Sequence, residues 1–297
     1  MRVYYRPVIA RCPESQIDSL MRSYQGAVPG ASVVVLRDGA PLFRRAYGLA
    51  DVEGGVAATP ATNYRLASMS KQFTSAAVLL LAQGGQLAID DSVHEWLPSL
   101  PEAAREMTIR QLLTHTSGLI DYEDVIPVGT TSQLHYPDVL PLLESENRSY
   151  FLPGTNYRYS NSGYALLALI VERASGDNFA SFLQQRIFRP LQMQHTVAFE
   201  DGVSSVANRA YGYSATNQSW TRTDQSLTSA TLGDGGIYSS IDDLANWDAA
   251  LYDERLLRPE SLSLPAPSPP WEATPPPARG RSRPSPYRLP ESRTPCR

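Results

Sequence analysis

The chain has 297 residues, of which 42% are hydrophobic, and a formal net charge of -4. This length and apolar content allow one large core or two smaller ones. The acidic balance and the lack of a basic stripe argue against nucleic acid as a partner. The longest apolar run, around AAVLLLA, is too short to span a bilayer, so we expect no membrane segment.

The N-terminal residues, MRVYYRPVIARCPE, hold no apolar run long enough for a signal peptide. We therefore expect a cytoplasmic protein for the sequence as written, and a periplasmic or secreted one if an export signal precedes Met1. Cys12 and Cys296 lie near opposite ends of the chain, which predicts neither a disulfide framework nor a metal site. The histidines show no metal-binding spacing either, so no metal or other cofactor is expected.

Predicted secondary structure starts with a helix over residues 14–26 and continues with a hairpin. The hairpin consists of two β-rich runs, ASVVVLR and PLFRRAYGLAD, around Asp38-Gly39, a pair that favours a tight turn. From about residue 66 the pattern becomes helical, with helices predicted at 68–84, at 109–115 behind a Thr108–Gln111 capping box, at 162–175, at 178–188 and after Ser240. Strands first and helices afterwards predict an α+β fold rather than alternating α/β.

The composition changes abruptly at about residue 265. Residues 265–297 contain 11 Pro and no Val, Ile, Met or Phe, so they cannot pack a core and are predicted to be disordered. We therefore predict a folded domain over residues 1–264 and a Pro/Arg/Ser-rich tail over 265–297. We hypothesise that the tail is non-native and results from a frameshift near codon 264, because out-of-frame reading of a GC-rich gene yields mostly Pro, Arg, Ser, Ala and Gly codons.

Among the 26 basic residues of the chain there is one lysine, Lys71, in the segment LASMSKQF. Arg does not lose its proton in a protein, whereas a buried Lys can, so a sole lysine three residues after Ser68 suggests a need for a removable proton. On a helix, Ser68 and Lys71 share one face, and Lys71 can then take the hydroxyl proton of Ser68. The motif alone is weak evidence, since a helix-capping serine followed by a solvated lysine gives the same pattern.

A second motif, Tyr159-Ser160-Asn161, leads into the helix predicted at 162–175. A tyrosine beside a cation can relay a proton, and an asparagine amide can bind a substrate carbonyl; a surface turn with a packed tyrosine is the alternative. His115, just after a capped helix, is predicted to be structural rather than a catalytic base. The Gly-rich run Gly233–Gly236 lacks the spacing of a dinucleotide loop and is predicted to form a tight turn near the site.

Together and in this order, SxxK and YxN resemble the motifs of the serine β-lactamase and penicillin-binding-protein family, in particular its class C-like esterase and D,D-peptidase branch. Further blocks over about residues 15–264 are similar to that family: VPGASVVVLRDG, LAIDDSVHEWLP, MTIRQLLTHTSGL, LPGTNYRYSNSGYALL and LGDGGIYSSIDDLANW. The resemblance implies a β-lactamase/transpeptidase-like α+β fold, with an antiparallel sheet and a helical subdomain. It also implies that Ser68 is the acyl-forming nucleophile, that Lys71 and Tyr159 are the proton-transfer pair, and that Asn161 binds the substrate amide. The resemblance implies no cofactor.

The third motif of that family, Lys-Thr-Gly or His-x-Gly on a strand beside the site, is not found beyond residue 264. We therefore expect the C-terminal strands of the sheet to be missing. Two functions stay open: a serine hydrolase that acts through an acyl-enzyme on an amide, β-lactam or ester, and an inactive relative that at most binds peptide or β-lactam without turnover. A helical binding module with two accidental motifs is a third alternative. The expected partner is a small-molecule or peptide substrate, and the chain is expected to be a monomer.

Overall fold

The computed structural model describes residues 14–217 and 219–262, which form a mixed α+β structure. The tail predicted at 265–297 lies outside the described residues, so the boundary at residue 264 stays a prediction. Among the described residues, no helix combines the length and the apolar composition needed to cross a membrane.

The strands are short, and all of their pairings are antiparallel. They are β1 Ala31–Arg37, β2 Ala40–Tyr47, β3 Leu49–Asp51, β4 Val56–Ala57, β5 Tyr64–Arg65, β6 Val197–Ala198, β7 Tyr213–Ala215, β8 Trp220–Arg222 and β9 Ile237–Ser239. Three two-stranded sheets pair β1 with β2, β3 with β4, and β7 with β8, while β9 lies between β5 and β6 in a three-stranded sheet.

The α-helices vary from a single turn to four turns. They are α1 Glu14–Leu20, α2 Lys71–Gln83, α3 Val93–Trp96, α4 Ile109–Leu113, α5 Tyr136–Glu144, α6 Asn161–Ser175, α7 Phe179–Leu183, α8 Ile241–Ala250 and α9 Pro259–Leu262. Three predicted helices end as α-helices two or more residues earlier than expected, and one of them is α4, which is predicted over 109–115 and ends at Leu113. The one predicted over 14–26 ends as a 3₁₀ turn at Met21–Tyr24, and the one over 178–188 continues from α7 as a π-helix at Gln184–Phe188. A 3₁₀ turn is common where an α-helix ends, whereas a π-helical turn is rare.

The predicted hairpin is confirmed. Asp38 and Gly39 have φ values of 52° and 74°, which is the left-handed conformation that a two-residue turn needs for its strands to keep their twist. Val35 and Leu36 of β1 pair with Phe43 and Pro41, so Leu42 is an extra residue that introduces a bulge into β2. On β2, Arg45 binds the Asp18 carboxylate at 2.6 Å, which joins α1 to the hairpin.

The hydrophobic core is centred on α6, which packs against α2, α4, α5 and α7. The sequence explains the length of this helix. Ser160 caps its first turn, since its Oγ accepts a hydrogen bond from the Gly163 N–H at 3.1 Å. Gly176 ends the helix in the left-handed conformation, at φ 77°. The helix predicted at 162–175 is therefore confirmed to within one residue.

The segment that leads into α2 differs from the single helix predicted over 68–84. Residues Ala67–Ser70 form a 3₁₀ turn, and α2 starts only at Lys71. The tertiary structure explains the difference, because β9 holds this turn at both ends: the Leu66 N–H donates to the Ile237 carbonyl, and the Ile237 N–H donates to Ser70 Oγ. Ala67 adopts a left-handed φ of 48°, a conformation that strains any residue with a Cβ.

Candidate active site

Ser68 and Lys71 lie next to each other where the 3₁₀ turn meets α2. Lys71 Nζ donates to Ser68 Oγ at 3.2 Å, as the shared-face prediction requires. The two side chains differ in exposure: Ser68 is exposed, whereas Lys71 is only 6% exposed. The hydroxyl is thus open to an incoming molecule, while the ammonium approaches it from the protein side.

Two further acceptors hold the Lys71 ammonium. Nζ donates to Asn161 Oδ1 at 2.8 Å and to the Asp234 carbonyl at 2.9 Å. With Ser68 Oγ, this makes three acceptors for the three protons of an ammonium group. Asn161 starts α6 and Asp234 lies in the Gly233–Gly236 turn. These hydrogen bonds therefore bring α2, α6 and that turn together at Lys71.

Tyr159 lies on the solvent side of the same hydroxyl. Its OH group donates to Ser68 Oγ at 2.7 Å, and its ring centroid is 4.9 Å from Lys71 Nζ. Both neighbours therefore donate to Ser68 Oγ, and neither can accept a proton in this state. One proton must leave the Lys71–Tyr159 pair before Ser68 can be deprotonated.

Asn161 is the first residue of α6, and its position is fixed by acidic side chains. Its backbone N–H donates to Asp121 Oδ2 at 2.9 Å, and its side-chain Nδ2 donates to Glu123 Oε1 at 3.3 Å. The carboxamide thus bridges Lys71 and Glu123. Because Glu123 is exposed, the Nδ2 donor lies at the open side of the site, where a substrate carbonyl can reach it.

Asp234 is a buried carboxyl group next to Lys71 that sequence reasoning missed. Its Oδ2 accepts a hydrogen bond from Tyr122 OH at 3.0 Å, and its Oδ1 has no hydrogen-bond partner within the described residues. Burial raises the pKa of Asp234 from 3.8 to about 6. Burial likewise raises the pKa of Tyr122. The sequence signal was present in Gly233-Asp234-Gly235, which was interpreted only as a turn.

His115 lies against Tyr159. The two ring centroids are 4.6 Å apart with an interplanar angle of 31°. His115 Nδ1 accepts a hydrogen bond from the Ser160 N–H at 3.2 Å. Burial, followed by the charge of Lys71, lowers the pKa of His115 from 6.5 to about 4. The imidazole is therefore neutral at neutral pH.

The four site residues predicted from the sequence therefore come together around one hydroxyl group: Ser68, Lys71, Tyr159 and Asn161. Among the described residues, no group of three or more His, Cys, Asp and Glu side chains is arranged to hold a metal ion. The arrangement contains a solvent-accessible hydroxyl, a buried amine and a phenol in contact, which can move one proton between them.

Comparison with known proteins identifies the family. The sequence profile described as Beta-lactamase matches residues 14–295, a range that extends past the boundary predicted at residue 264. Penicillin-binding protein 4* of Bacillus subtilis is 33% identical over 237 residues, which cover 75% of this chain and 52% of that protein. A D-aminopeptidase of Brucella canis is 31% identical over 273 residues, which cover 86% of this chain and 50% of that protein.

Among solved structures, the octameric penicillin-binding protein homologue from Pyrococcus abyssi superposes with a TM-score of 0.71 at 28% identity, over 84% of this chain and 58% of that chain. The chain therefore belongs to the beta-lactamase family of serine hydrolases and has its transpeptidase-like fold. It spans about half the length of the curated relatives that it matches.

Proposed function

We propose that the chain is a serine hydrolase that cleaves an amide, β-lactam or ester through an acyl-enzyme on Ser68. One observation carries the proposal: Ser68 is exposed, and its Oγ lies 2.7 Å from Tyr159 OH and 3.2 Å from Lys71 Nζ. The family match supports it, because this family consists of serine hydrolases.

Acylation follows from these contacts. Ser68 Oγ attacks the substrate carbonyl carbon and passes its proton to the Lys71–Tyr159 pair, which has first released one proton to solvent. Tyr159 is 43% exposed, so its hydroxyl can then donate a proton to the leaving nitrogen or oxygen. In deacylation, water attacks the acyl carbonyl, the pair takes the proton of that water, and Ser68 Oγ leaves with a proton.

Two features stabilise the substrate carbonyl in this proposal. Asn161 Nδ2 binds an amide oxygen of the substrate. Ser68 lies in the turn before α2, where the positive end of the helix dipole favours a developing anion. The relatives named penicillin-binding protein and D-aminopeptidase favour a peptide or amide among the three substrate types.

A specific observation favours the alternative, an inactive relative that binds without turnover. In this family a strand with the third motif supplies a second oxyanion donor, and among residues 14–217 and 219–262 no strand carries that motif. The loss of one such donor costs about 10²–10³ in rate.

Cytoplasmic location and a monomeric state also stay predictions, and the Pyrococcus abyssi homologue is an octamer.

The test is covalent labelling followed by turnover. The full chain is treated with a fluorescent penicillin and a fluorescent fluorophosphonate, and mass spectrometry locates the adduct. We expect labelling at Ser68, none in Ser68→Ala, and full labelling in the control Ser181→Ala, which changes an exposed serine of α7. Hydrolysis of a p-nitrophenyl ester, a chromogenic cephalosporin or a D-amino acid p-nitroanilide then identifies the substrate. Slow labelling of Ser68, or none, in a folded chain that hydrolyses none of these substrates would favour the inactive relative and exclude the proposed hydrolase.

A further inference from the structure

His115 has an unusual backbone conformation for a residue with a side chain. Its φ is 59°, in the left-handed region that costs energy for any residue other than glycine. Strain of this kind persists only where neighbouring contacts hold it in place. The contacts of His115 therefore indicate what the strained conformation is for.

Two backbone hydrogen bonds connect His115 to the residues on either side of Tyr159. The Arg158 N–H donates to the His115 carbonyl at 3.0 Å, and the Ser160 N–H donates to His115 Nδ1 at 3.2 Å. The backbone of Tyr159 is thus held from both sides by one residue. A side chain without an acceptor at this place would leave the Ser160 N–H unpaired.

The imidazole also holds the Tyr159 ring. Its centroid is 4.6 Å from that of Tyr159 and 5.2 Å from that of Tyr164. The Tyr159 ring in turn contacts the Lys71 ammonium, with Nζ 4.9 Å from the ring centroid. Rotation of the phenol away from Ser68 would break both ring contacts.

These contacts need the neutral imidazole, because a protonated Nδ1 cannot accept the Ser160 N–H. The ionisable groups around the ring are Lys71 of α2, Tyr164 of α6, and Tyr157 and Tyr159 of the segment before α6. Lys71 disfavours the imidazolium, in agreement with the lowered pKa of His115. Since the Nδ1 lone pair is used by Ser160, that nitrogen is not available as a base for Ser68.

We propose that His115 is a positioning residue which, as a neutral imidazole, fixes the phenol of Tyr159 against Ser68. The proposal rests on the proposed function for its effect on rate, while its structural part can be tested without turnover. His115 acts through Tyr159, so its contribution exists only when the Tyr159 hydroxyl is present.

A double-mutant cycle tests this dependence. His115→Phe keeps an aromatic ring but removes the acceptor, and His115→Asn keeps a polar acceptor in a residue type that tolerates positive φ. Each is combined with Tyr159→Phe, and kcat/KM for acylation is measured beside the melting temperature. We expect each of the two His115 substitutions, on its own, to lower acylation by about 10–10²-fold through misplacement of the phenol. In the Tyr159→Phe background, neither His115 substitution should cause a further loss. The control His195→Phe, at an exposed histidine, should leave acylation unchanged.

Equal losses in the two backgrounds would overturn the proposal, because additive effects show that His115 does not act through Tyr159. A second measurement is independent of activity and of the cycle. In the ¹⁵N spectrum of the full chain, His115 should carry its proton on Nε2 at neutral pH, and the Tyr159 ring resonance should shift in His115→Asn. A proton on Nδ1, or an unmoved Tyr159 resonance, contradicts the proposal. If the parent chain is not acylated, the proposed function fails while these spectra still decide the role of His115.

Discussion

The helical region around α6 and the hairpin region differ in how completely they are packed. On α6, a run of residues has no exposed surface at all: Ala165, Leu166, Leu167 and Ala168. On β1, by contrast, no residue is fully buried, and six of the seven are only half-buried. A cavity of about 830 Å³ lies between β1, the hairpin turn and α8, lined by residues such as Val34, Leu36, Leu244 and Tyr252. Within the described residues, β1 pairs with β2 and with no other strand.

The candidate site belongs to the well-packed region. Ser68 and Lys71 come from the start of α2, Asn161 from the start of α6, and Tyr159 from the loop before it. The hairpin supplies none of these side chains. The geometry around the Ser68 hydroxyl is therefore set by helix packing and by the bonds of the 3₁₀ turn to β9. The predictions that follow separate the two regions.

The largest expected effect is on catalysis, from Lys71→Arg. The substitution keeps a positive charge in the helical region but removes the group that can lose a proton. We expect acylation of Ser68 to fall by about 10²–10⁴-fold, the usual contribution of a general acid–base group. The matched change in the hairpin, Arg37→Lys, exchanges the same two residue types at an exposed position and should leave acylation unchanged. Acylation of Lys71→Arg within about threefold of the parent, with an unchanged melting temperature, would remove Lys71 as proton acceptor.

The packing difference itself is tested by truncating one apolar side chain in each region. Leu167→Ala on α6 removes a side chain with 0% exposure, and we expect it to lower the free energy of unfolding by about 2–5 kcal/mol. Val34→Ala on β1 removes a half-buried side chain beside the cavity, so the cost should stay below about 1.5 kcal/mol. Urea unfolding of both variants gives the comparison. Equal losses would mean that β1 is covered in solution as completely as α6.

The buried carboxyl group of Asp234 predicts a pH dependence of stability in the helical region. Its pKa is raised from 3.8 to about 6 by burial, so between these values the unfolded chain ionises first and stability falls as pH rises. Asp234→Asn keeps an acceptor for Tyr122 and removes this titration. From about pH 4 to pH 7, we expect the free energy of unfolding of Asp234→Asn to gain on the order of 2–3 kcal/mol relative to the parent. Parallel stability curves for the two proteins would contradict the raised pKa.

The smallest effect is expected for the ion pair that joins the hairpin to α8. Arg44 on β2 binds Asp242, and the two side chains are 46% and 34% exposed. Such surface pairs contribute about 0–1 kcal/mol. We therefore expect Arg44→Gln to lower the free energy of unfolding by less than about 1 kcal/mol, and by a smaller amount at high salt than at low salt. A larger loss, measured by urea unfolding at low salt, would show that this contact contributes more to holding the hairpin on α8 than a surface ion pair does.

Features set by neighbouring residues were predictable from the sequence. Asp38-Gly39 has one favoured turn, and the Thr108–Gln111 capping box starts α4 as predicted. Ser68 and Lys71 were expected on one face because spacing alone determines that contact. In each case the physical cause lies within a few residues of the feature, so a local pattern contains it.

Features that depend on distant residues were not predictable in the same way. Tyr122 and Asp234 are 112 residues apart in the sequence and form a hydrogen bond. No local pattern around either residue indicates the other as its partner. The 3₁₀ turn before α2 likewise depends on its hydrogen bonds to β9, and these bonds cannot be predicted from the local helix propensity. His115 was predicted to be structural from its place after a helix, but its contacts with the segment around Tyr159 are visible only in the folded chain.

The burial of Lys71 has a practical consequence, because this residue is the only lysine in the sequence. A protease that cleaves after lysine has a single bond to cut in the whole chain, between Lys71 and Gln72. That bond is in the first turn of α2, and Lys71 is 6% exposed, so the protease can reach it only when α2 leaves the core. Digestion therefore gives two fragments, and where reclosing is faster than cleavage the rate of digestion reports the fraction of molecules in which the region holding Ser68 is open.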